Sequence, residues 1–324
     1  PTSMQRRLDQ HYANVLDYRD SIGYPSNLDL DHLKPMQRFL LTPFNNVGGL
    51  KGRGRRHSPL HTIAFEQELI HTIAALYGIS DAADCHGFVT SGGTEANLQG
   101  LWQARETYPE ATLYSSASSH YSIAKCARLL RIKHRILPVD DAGELDYRQL
   151  ATALQQQAGQ TAIVSLNIGS TMQGAIDRLD RVKEILQQQQ MTGFHIHCDA
   201  ALFGMMLPFI TDAPCPSFRN GMHSLAISGH KFIGCPYPSG IVLTQTPQAG
   251  AYVDYIQSAD TTISGSRNGH APLLLWYGLM TRGLAGLEAE VKTCISNAAY
   301  LSEQMTLIGY VNQLSLIHIS EPTR

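Results

Sequence analysis

The chain has 324 residues, 43% of them hydrophobic, enough for a sizeable core in one large domain or two smaller ones. Its 25 basic and 27 acidic residues leave a formal charge of −2, which excludes a general polyanion-binding role. Cys85, Cys126, Cys198, Cys215, Cys235 and Cys294 form no CxxC pair, no run reaches the roughly 18 apolar residues of a membrane-crossing helix, and Pro1–Arg7 carries no signal-peptide core; the expectation is a cytoplasmic protein with reduced thiols.

Residues 1–55 are expected to form an N-terminal segment of helix and extended chain. Its basic cluster, Lys51-Gly-Arg-Gly-Arg-Arg-His57, lacks interleaved aromatics and reads as a solvated loop rather than a nucleic-acid site. His61–Tyr77 carries Ile63, Ile70, Ile73, Ala74 and Tyr77 at helical spacing and stops at Gly78. Strands are then expected at Gly87–Thr90, Thr112–Ser116, Ile136–Val139, Thr161–Asn167, Phe194–Asp199, Ser224–Ser228 and Gly240–Thr244. Helices are expected among them at Thr94–Tyr108, Ser122–Lys133, Asp146–Ala158 and Leu179–Gln190. That alternation predicts an α/β fold with a mostly parallel sheet covered by helices. Polar Ser258–Gly269 marks a boundary before the helical stretch Ala271–Leu307. The expected units are 1–55, a large ligand-binding domain over 56–270, and the start of a second domain over 271–313. Leu314–Arg324 back-translate to a sequencing adapter and are expected to be a non-native tail.

The chemistry concentrates at strand ends. His197-Cys198-Asp199-Ala200-Ala201 closes one strand and Ser228-Gly229-His230-Lys231 closes another, 32 residues apart from Asp to Lys. In a parallel sheet such ends open onto one crevice, so a carboxylate and an amine share a pocket rim. Pyridoxal phosphate needs that pair, a Lys for its aldehyde and an Asp for its ring nitrogen. Thr90-Ser91-Gly92-Gly93-Thr94-Glu95-Ala96-Asn97 follows a strand and opens a helix. Its glycines and free amide groups suit a phosphate at the positive end of the helix dipole. It matches neither G-x-G-x-x-G nor the Walker pattern. Ser118-Ser119-His120-Tyr121-Ser122 also precedes a helix, and His120 alone reads as a capping or packing residue; beside the other motifs it becomes a candidate to stack on a flat ring. Alternation puts His195, His197 and Asp199 on one strand face, but Ala200-Ala201 and Lys231 serve no chelate, so no metal site is expected there.

These motifs resemble the pyridoxal-phosphate group II amino-acid decarboxylases, in particular their histidine and serine decarboxylase branch. The matching stretches are 22–25, Ser91–Asn97, Ser119–Ala124, Asn167–Thr171, His197–Gly204, Ser228–Pro236 and Gly265–Pro272. The resemblance implies the fold-type I architecture of aspartate aminotransferase, with a homodimer and a small C-terminal domain largely missing from this chain. It implies that Lys231 holds the cofactor, Asp199 pairs with its ring nitrogen, His120 stacks on the ring and Ala201 packs under it. Ser91, Gly92, Gly93 and Thr94 would bind phosphate, helped by Ser228 and His230, and either Ser170 or Thr171 would reach the ring hydroxyl. Residues 265–270 would reach across to a partner's site. Histidine, giving histamine, is the first substrate expected. Serine, giving ethanolamine, is the alternative: His197–Gly204, Gly234–Pro236, His270–Tyr277 and His61 look closer to the plant serine decarboxylases. An inactive homologue or an aminotransferase is the lesser reading. Residues 46–60 depart from the family pattern on the substrate side.

Overall fold

The computed structural model describes residues 2–18, 26–48, 59–81, 83–245, 250–254 and 258–309. The basic cluster 51–57, the stretch 22–25 and the tail 314–324 lie outside the described residues. In chain order the elements are α1 (Ser3–Tyr18), β1 (Asn45–Val47), α2 (Ile63–Leu76), β2 (His86–Thr90), α3 (Gly93–Thr107), β3 (Thr112–Ser116), α4 (Tyr121–Leu130), β4 (Lys133–Leu137) and α5 (Tyr147–Gln155). There follow β5 (Thr161–Asn167), α6 (Leu179–Gln188), β6 (Gly193–Asp199), β7 (Ser224–Ser228), β8 (Gly240–Thr244), β9 (Ala251–Val253), β10 (Ser258–Asp260), β11 (Ser266–Asn268) and α7 (His270–Leu307).

Seven strands form the central sheet in the order β2-β8-β7-β6-β5-β3-β4. β4, β3, β5, β6 and β7 pair in parallel, while β8 runs antiparallel to both β7 and β2. The expected mostly parallel α/β sheet is therefore present. Its strands are apolar because helices cover both faces. Alternation divides them: Leu113 and Ile163 pack with Leu101 of α3 and Ile123 of α4, whereas Tyr114 and Val164 pack with Leu150 of α5 and Val182 of α6.

Register gathers the site. Ser228 lies opposite Gly240, Gly240 opposite Thr90, and Asn167 beside Asp199. One sheet edge thus carries the ends of β2, β5, β6 and β7. Asp177 secures the β5 end by accepting the Asn167 and Leu145 N–H groups, each at 2.7 Å. Burial nevertheless pushes its carboxyl up to about 6, against the pull of those two donors.

Most elements lie within two residues of the expected bounds, but α5 ends at Gln155, three residues before Ala158, and the α4–β4 junction is displaced. α4 stops at Leu130, because Arg131 takes a left-handed conformation (φ 56°) and reverses the chain. The strand then runs over Lys133–Leu137, three residues earlier than expected. It lies at the sheet edge with mostly exposed side chains, so its apolar pattern is weak. α7 is interrupted at Gly283, whose φ of 65° no helix shares. The three-residue pairs β1–β11 and β9–β10 are too short to show alternation in sequence.

A buried ion pair braces the strand that leads into the glycine turn. Arg267 donates to Glu66, and their side chains are 3% and 0% exposed. Glu66 also accepts the Val89 N–H and the Asn46 amide, each at 2.7 Å, and the Arg267 guanidinium lies 4.9 Å from the Phe88 ring centroid. β1, α2, β2 and β11 are tied at this point. Removing one partner leaves a buried charge unpaired, at a cost of about 3–5 kcal/mol. Arg267→Ala is therefore expected to lower unfolding free energy by about that amount in urea titrations, and a double Glu66→Gln, Arg267→Met variant by clearly less.

Candidate active site

Lys231 leaves the end of β7 through Gly229 and His230. Its carbonyl accepts the Asn27 N–H at 3.0 Å, and the Asn27 amide donates to the Phe232 carbonyl at 3.2 Å. Gly229 N–H donates to Ser239 O at 2.9 Å. The lysine therefore stands on a turn fastened from both sides. Burial pushes its amine down from the ordinary lysine value, and the Asp199 charge partly opposes this. A larger share of neutral, nucleophilic amine results.

Asp199 ends β6 and is 6% exposed. Its Oδ2 accepts from Asn97 Nδ2 at 2.8 Å and its Oδ1 from the Ala201 N–H at 3.2 Å. Lys231, Asp199, His120, Ala201, Ser228 and His230 line one cavity of about 630 Å³, together with Ser91, Gly92, Gly93 and Thr94. Ser170 and Thr171 both line it as well. Ser170 Oγ accepts the Ala175 N–H at 3.1 Å.

The glycine turn meets the cavity at the start of α3. Its first helical bond runs from Ala96 N–H to Gly92 O at 3.1 Å, so the preceding amide groups of the first turn stand at the positive end of the helix. A Cβ on Gly93 would lie 2.8 Å from Ser228 Oγ and 3.8 Å from the Ala201 Cβ. A side chain at this position would therefore displace the Ser228 hydroxyl. Ser91 is committed differently from a simple phosphate donor: its N–H and hydroxyl both donate to Glu95. Glu95, which also receives the Ser264 hydroxyl, adds a carboxylate to the cavity wall.

His120 caps a helix and lines the cavity at once. Its Nδ1 accepts the Ser122 N–H at 3.3 Å, capping α4, and lies 2.8 Å from Ser122 Oγ. With Nδ1 occupied by the cap, Nε2 is left for the cavity. Burial pushes its pKa down; the Asp199 charge opposes that, and Lys231 and Lys125 add to it. The imidazole is thus biased toward its neutral form, suited to stacking and to carrying a proton.

The motifs alone assign no role to Asn97, Glu95, Tyr121 or Asn167, all of which line the cavity. Asn97 had one usable signal, a polar side chain one turn into the helix on the face of Gly93 and Gly100. Asn167 had another, since it ends the strand beside Asp199. Arg267, within the stretch read as reaching a partner, turns inward to Glu66. Among the described residues no group of three or more His, Cys, Asp or Glu side chains is arranged to hold a metal.

The donor set fits pyridoxal phosphate: an amine whose pKa burial lowers, a carboxylate held by two donors, a flat imidazole and a helix start, all on one cavity. Comparison with known proteins points the same way. The model of the pyridoxal-dependent decarboxylase conserved domain matches residues 55–309. Serine decarboxylase 2 of Oryza sativa subsp. japonica is 39% identical over 324 residues, covering 97% of this chain and 68% of its own. Histidine decarboxylase of Vibrio campbellii is 39% identical over 294 residues, covering 89% of this chain and 75% of its own. Among solved structures, L-methionine decarboxylase from Streptomyces sp. 590 matches with a TM-score of 0.85 and 25% identity, over 94% of this chain and 80% of that one.

The lowered amine value has a direct readout. Burial favours the neutral form, so trace acetylation of the cofactor-free protein is expected to label Lys231 with a half-reactivity pH below that of the same lysine in the unfolded chain. Competitive labelling with peptide mass spectrometry measures it; an equal or higher value would contradict the burial effect.

Proposed function

The chain belongs to the pyridoxal-dependent decarboxylase family, and from that premise we propose that its substrate is histidine, released as histamine and carbon dioxide. It is a pyridoxal-phosphate-dependent amino-acid decarboxylase. The observation that carries the site reading is the single cavity shared by Lys231, Asp199, His120 and the start of α3. Lys231 would hold the cofactor covalently, Asp199 its ring nitrogen, and His120 and Ala201 its two ring faces. The amide groups of Gly93 and Thr94 would take the phosphate, with Ser228, His230, Ser91 and Gly92 around it. When bound, the cofactor supplies an electron sink for the bond to the departing carboxylate.

The chain's own groups do the rest. Asp199 is held as an acceptor by Asn97 and the Ala201 N–H, so it can keep a ring proton in place. Leu98 and Leu202 share the cavity wall with Glu95, and a substrate carboxylate set against those apolar side chains and that carboxylate would be less stabilised than in water before it leaves as carbon dioxide. His120 and Lys231, whose protonated forms burial makes more acidic, would return a proton to the α-carbon.

A cavity of about 630 Å³ has room for the cofactor and an imidazole side chain, and the histidine decarboxylases of Vibrio campbellii and Solanum lycopersicum are 39% and 40% identical to the chain. Serine is the second reading, supported by the serine decarboxylases of rice at 38–40% identity. We further propose a homodimer, supported by the exposed stripe Met4, Leu8 and Tyr12 along α1, with residues 56–270 as the cofactor-binding unit. A cytoplasmic setting is supported by six cysteines that are all free; no helix among the described residues is long and apolar enough to cross a membrane.

Carbon dioxide release from L-histidine and L-serine decides the substrate, with a higher kcat/KM expected for histidine. A higher value for serine would move the assignment to serine, and no release from any amino acid would contradict the site reading. Lys231→Ala is expected to lose roughly a thousand-fold or more in rate, and Asp199→Asn roughly a hundred-fold or more, the range in which positioned groups act.

A further inference from the structure

Behind Asp199 lies a run of buried polar side chains that reaches beyond the groups lining the cavity. Asn97 Nδ2 is 2.8 Å from Asp199 Oδ2 and 3.1 Å from Ser122 Oγ, while Asn97 Oδ1 is 2.9 Å from His197 Nε2. His197 Nδ1 is 2.8 Å from Ser224 Oγ, and the same hydroxyl is 2.7 Å from His195 Nε2. His195, His197, Ser224 and Asn97 are each at most 3% exposed. We propose that this chain of hydrogen bonds sets the orientation of Asp199, with His197 and Ser224 acting as positioning residues for the decarboxylase reaction. The proposal rests on the cofactor reading above.

Proton counting gives every bond a direction. The Asp199 carboxylate only accepts, so Asn97 must present its NH₂ to it. The Asn97 carbonyl then faces His197 and needs a donor, which is the Nε2–H. A neutral imidazole carries one N–H, so His197 Nδ1 must accept. The Ser224 hydroxyl supplies that proton, and its oxygen is left to accept from His195 Nε2–H. Both histidines are held neutral: burial pushes His195 well down and His197 to about 4, the latter against the opposing Asp199 charge. Reversing any link would turn the Asn97 carbonyl against the carboxylate at 2.8 Å. The bonds are mutually dependent.

The surrounding backbone makes room for this arrangement. β6 places His195, His197 and Asp199 on one face by alternation, and Ser224 of β7 lies in register beside His197. On α3, one turn beyond Asn97, a Cβ at Gly100 would lie 2.6 Å from His197 Nδ1 and 3.1 Å from Ser224 Oγ. A glycine at that position admits the ring and hydroxyl together.

Ser224 is remote from the cavity wall, which makes Ser224→Ala the informative variant. In the chain loaded with cofactor labelled at its ring nitrogen, Ser224→Ala is expected to move the nitrogen-15 resonance toward the unprotonated position. It should lower kcat roughly ten-fold, the scale seen when an outer partner of a ligating group is lost, with KM nearly unchanged. Ser224→Thr, which keeps the hydroxyl, is expected to restore both. An unmoved resonance with wild-type kcat in Ser224→Ala would overturn the proposal. Histidine tautomers in the unmodified protein, read by nitrogen-15 NMR with or without cofactor, give a second test that needs no variant. Nε2–H on His197 and His195 supports the relay, and Nδ1–H on His197 overturns it. A wild-type chain that takes up no cofactor would instead sink the cofactor reading, while the tautomer measurement would still decide the relay.

Discussion

The register of β6 between β5 and β7 is the constraint on which the rest of the structure depends. It sets Asp199 beside Asn167 on one side and beside Ala226 on the other, and His197 beside Ser224. Because side chains alternate along a strand, a slip of one residue would send the carboxylate to the opposite face. It would also part His197 from Ser224 and Asn97. Burial of nearly every residue of β5, β6 and β7 makes such a slip costly, since apolar and polar faces would exchange. The core therefore specifies the geometry of the site.

Burial then sets the chemistry. Lys231 and His120 lie in the same partly enclosed cavity and are driven toward their neutral forms, while the Asp199 charge moderates both. One buried carboxylate thus influences the amine and the imidazole, while its own oxygens are held by Asn97 and Ala201. A second carboxylate, Glu66, works at a distance by pairing with Arg267 beneath the strand that delivers the glycine turn.

Much of this was legible in the sequence, for a physical reason. Strand ends in a parallel sheet share one edge, so Asp199, Lys231, His120 and Ser91–Thr94 could be placed together from their positions after strands, and they line one cavity. What escaped notice depends on contacts distant in sequence. Asn97 meets Asp199 across 102 positions and His197 across 100, and Glu66 meets Arg267 across 201. No local period encodes such pairs. The β4 boundary escaped because an exposed edge strand with Lys133, His134 and Arg135 lacks an apolar rhythm. The commitment of Ser91 to Glu95 is a local capping bond that competes with an anion for the same donors; the motif shows both residues but not which partner wins.

The central claim is that Lys231 is the residue that takes the cofactor. Incubation of the chain with pyridoxal phosphate, borohydride reduction and peptide mass mapping tests it most directly. A phosphopyridoxyl group is expected on the peptide that contains Lys231, at about one per chain, and is expected to be lost in Lys231→Ala. Attachment chiefly at another lysine, such as Lys125, whose charge also acts on His120, or no attachment at all, would contradict it.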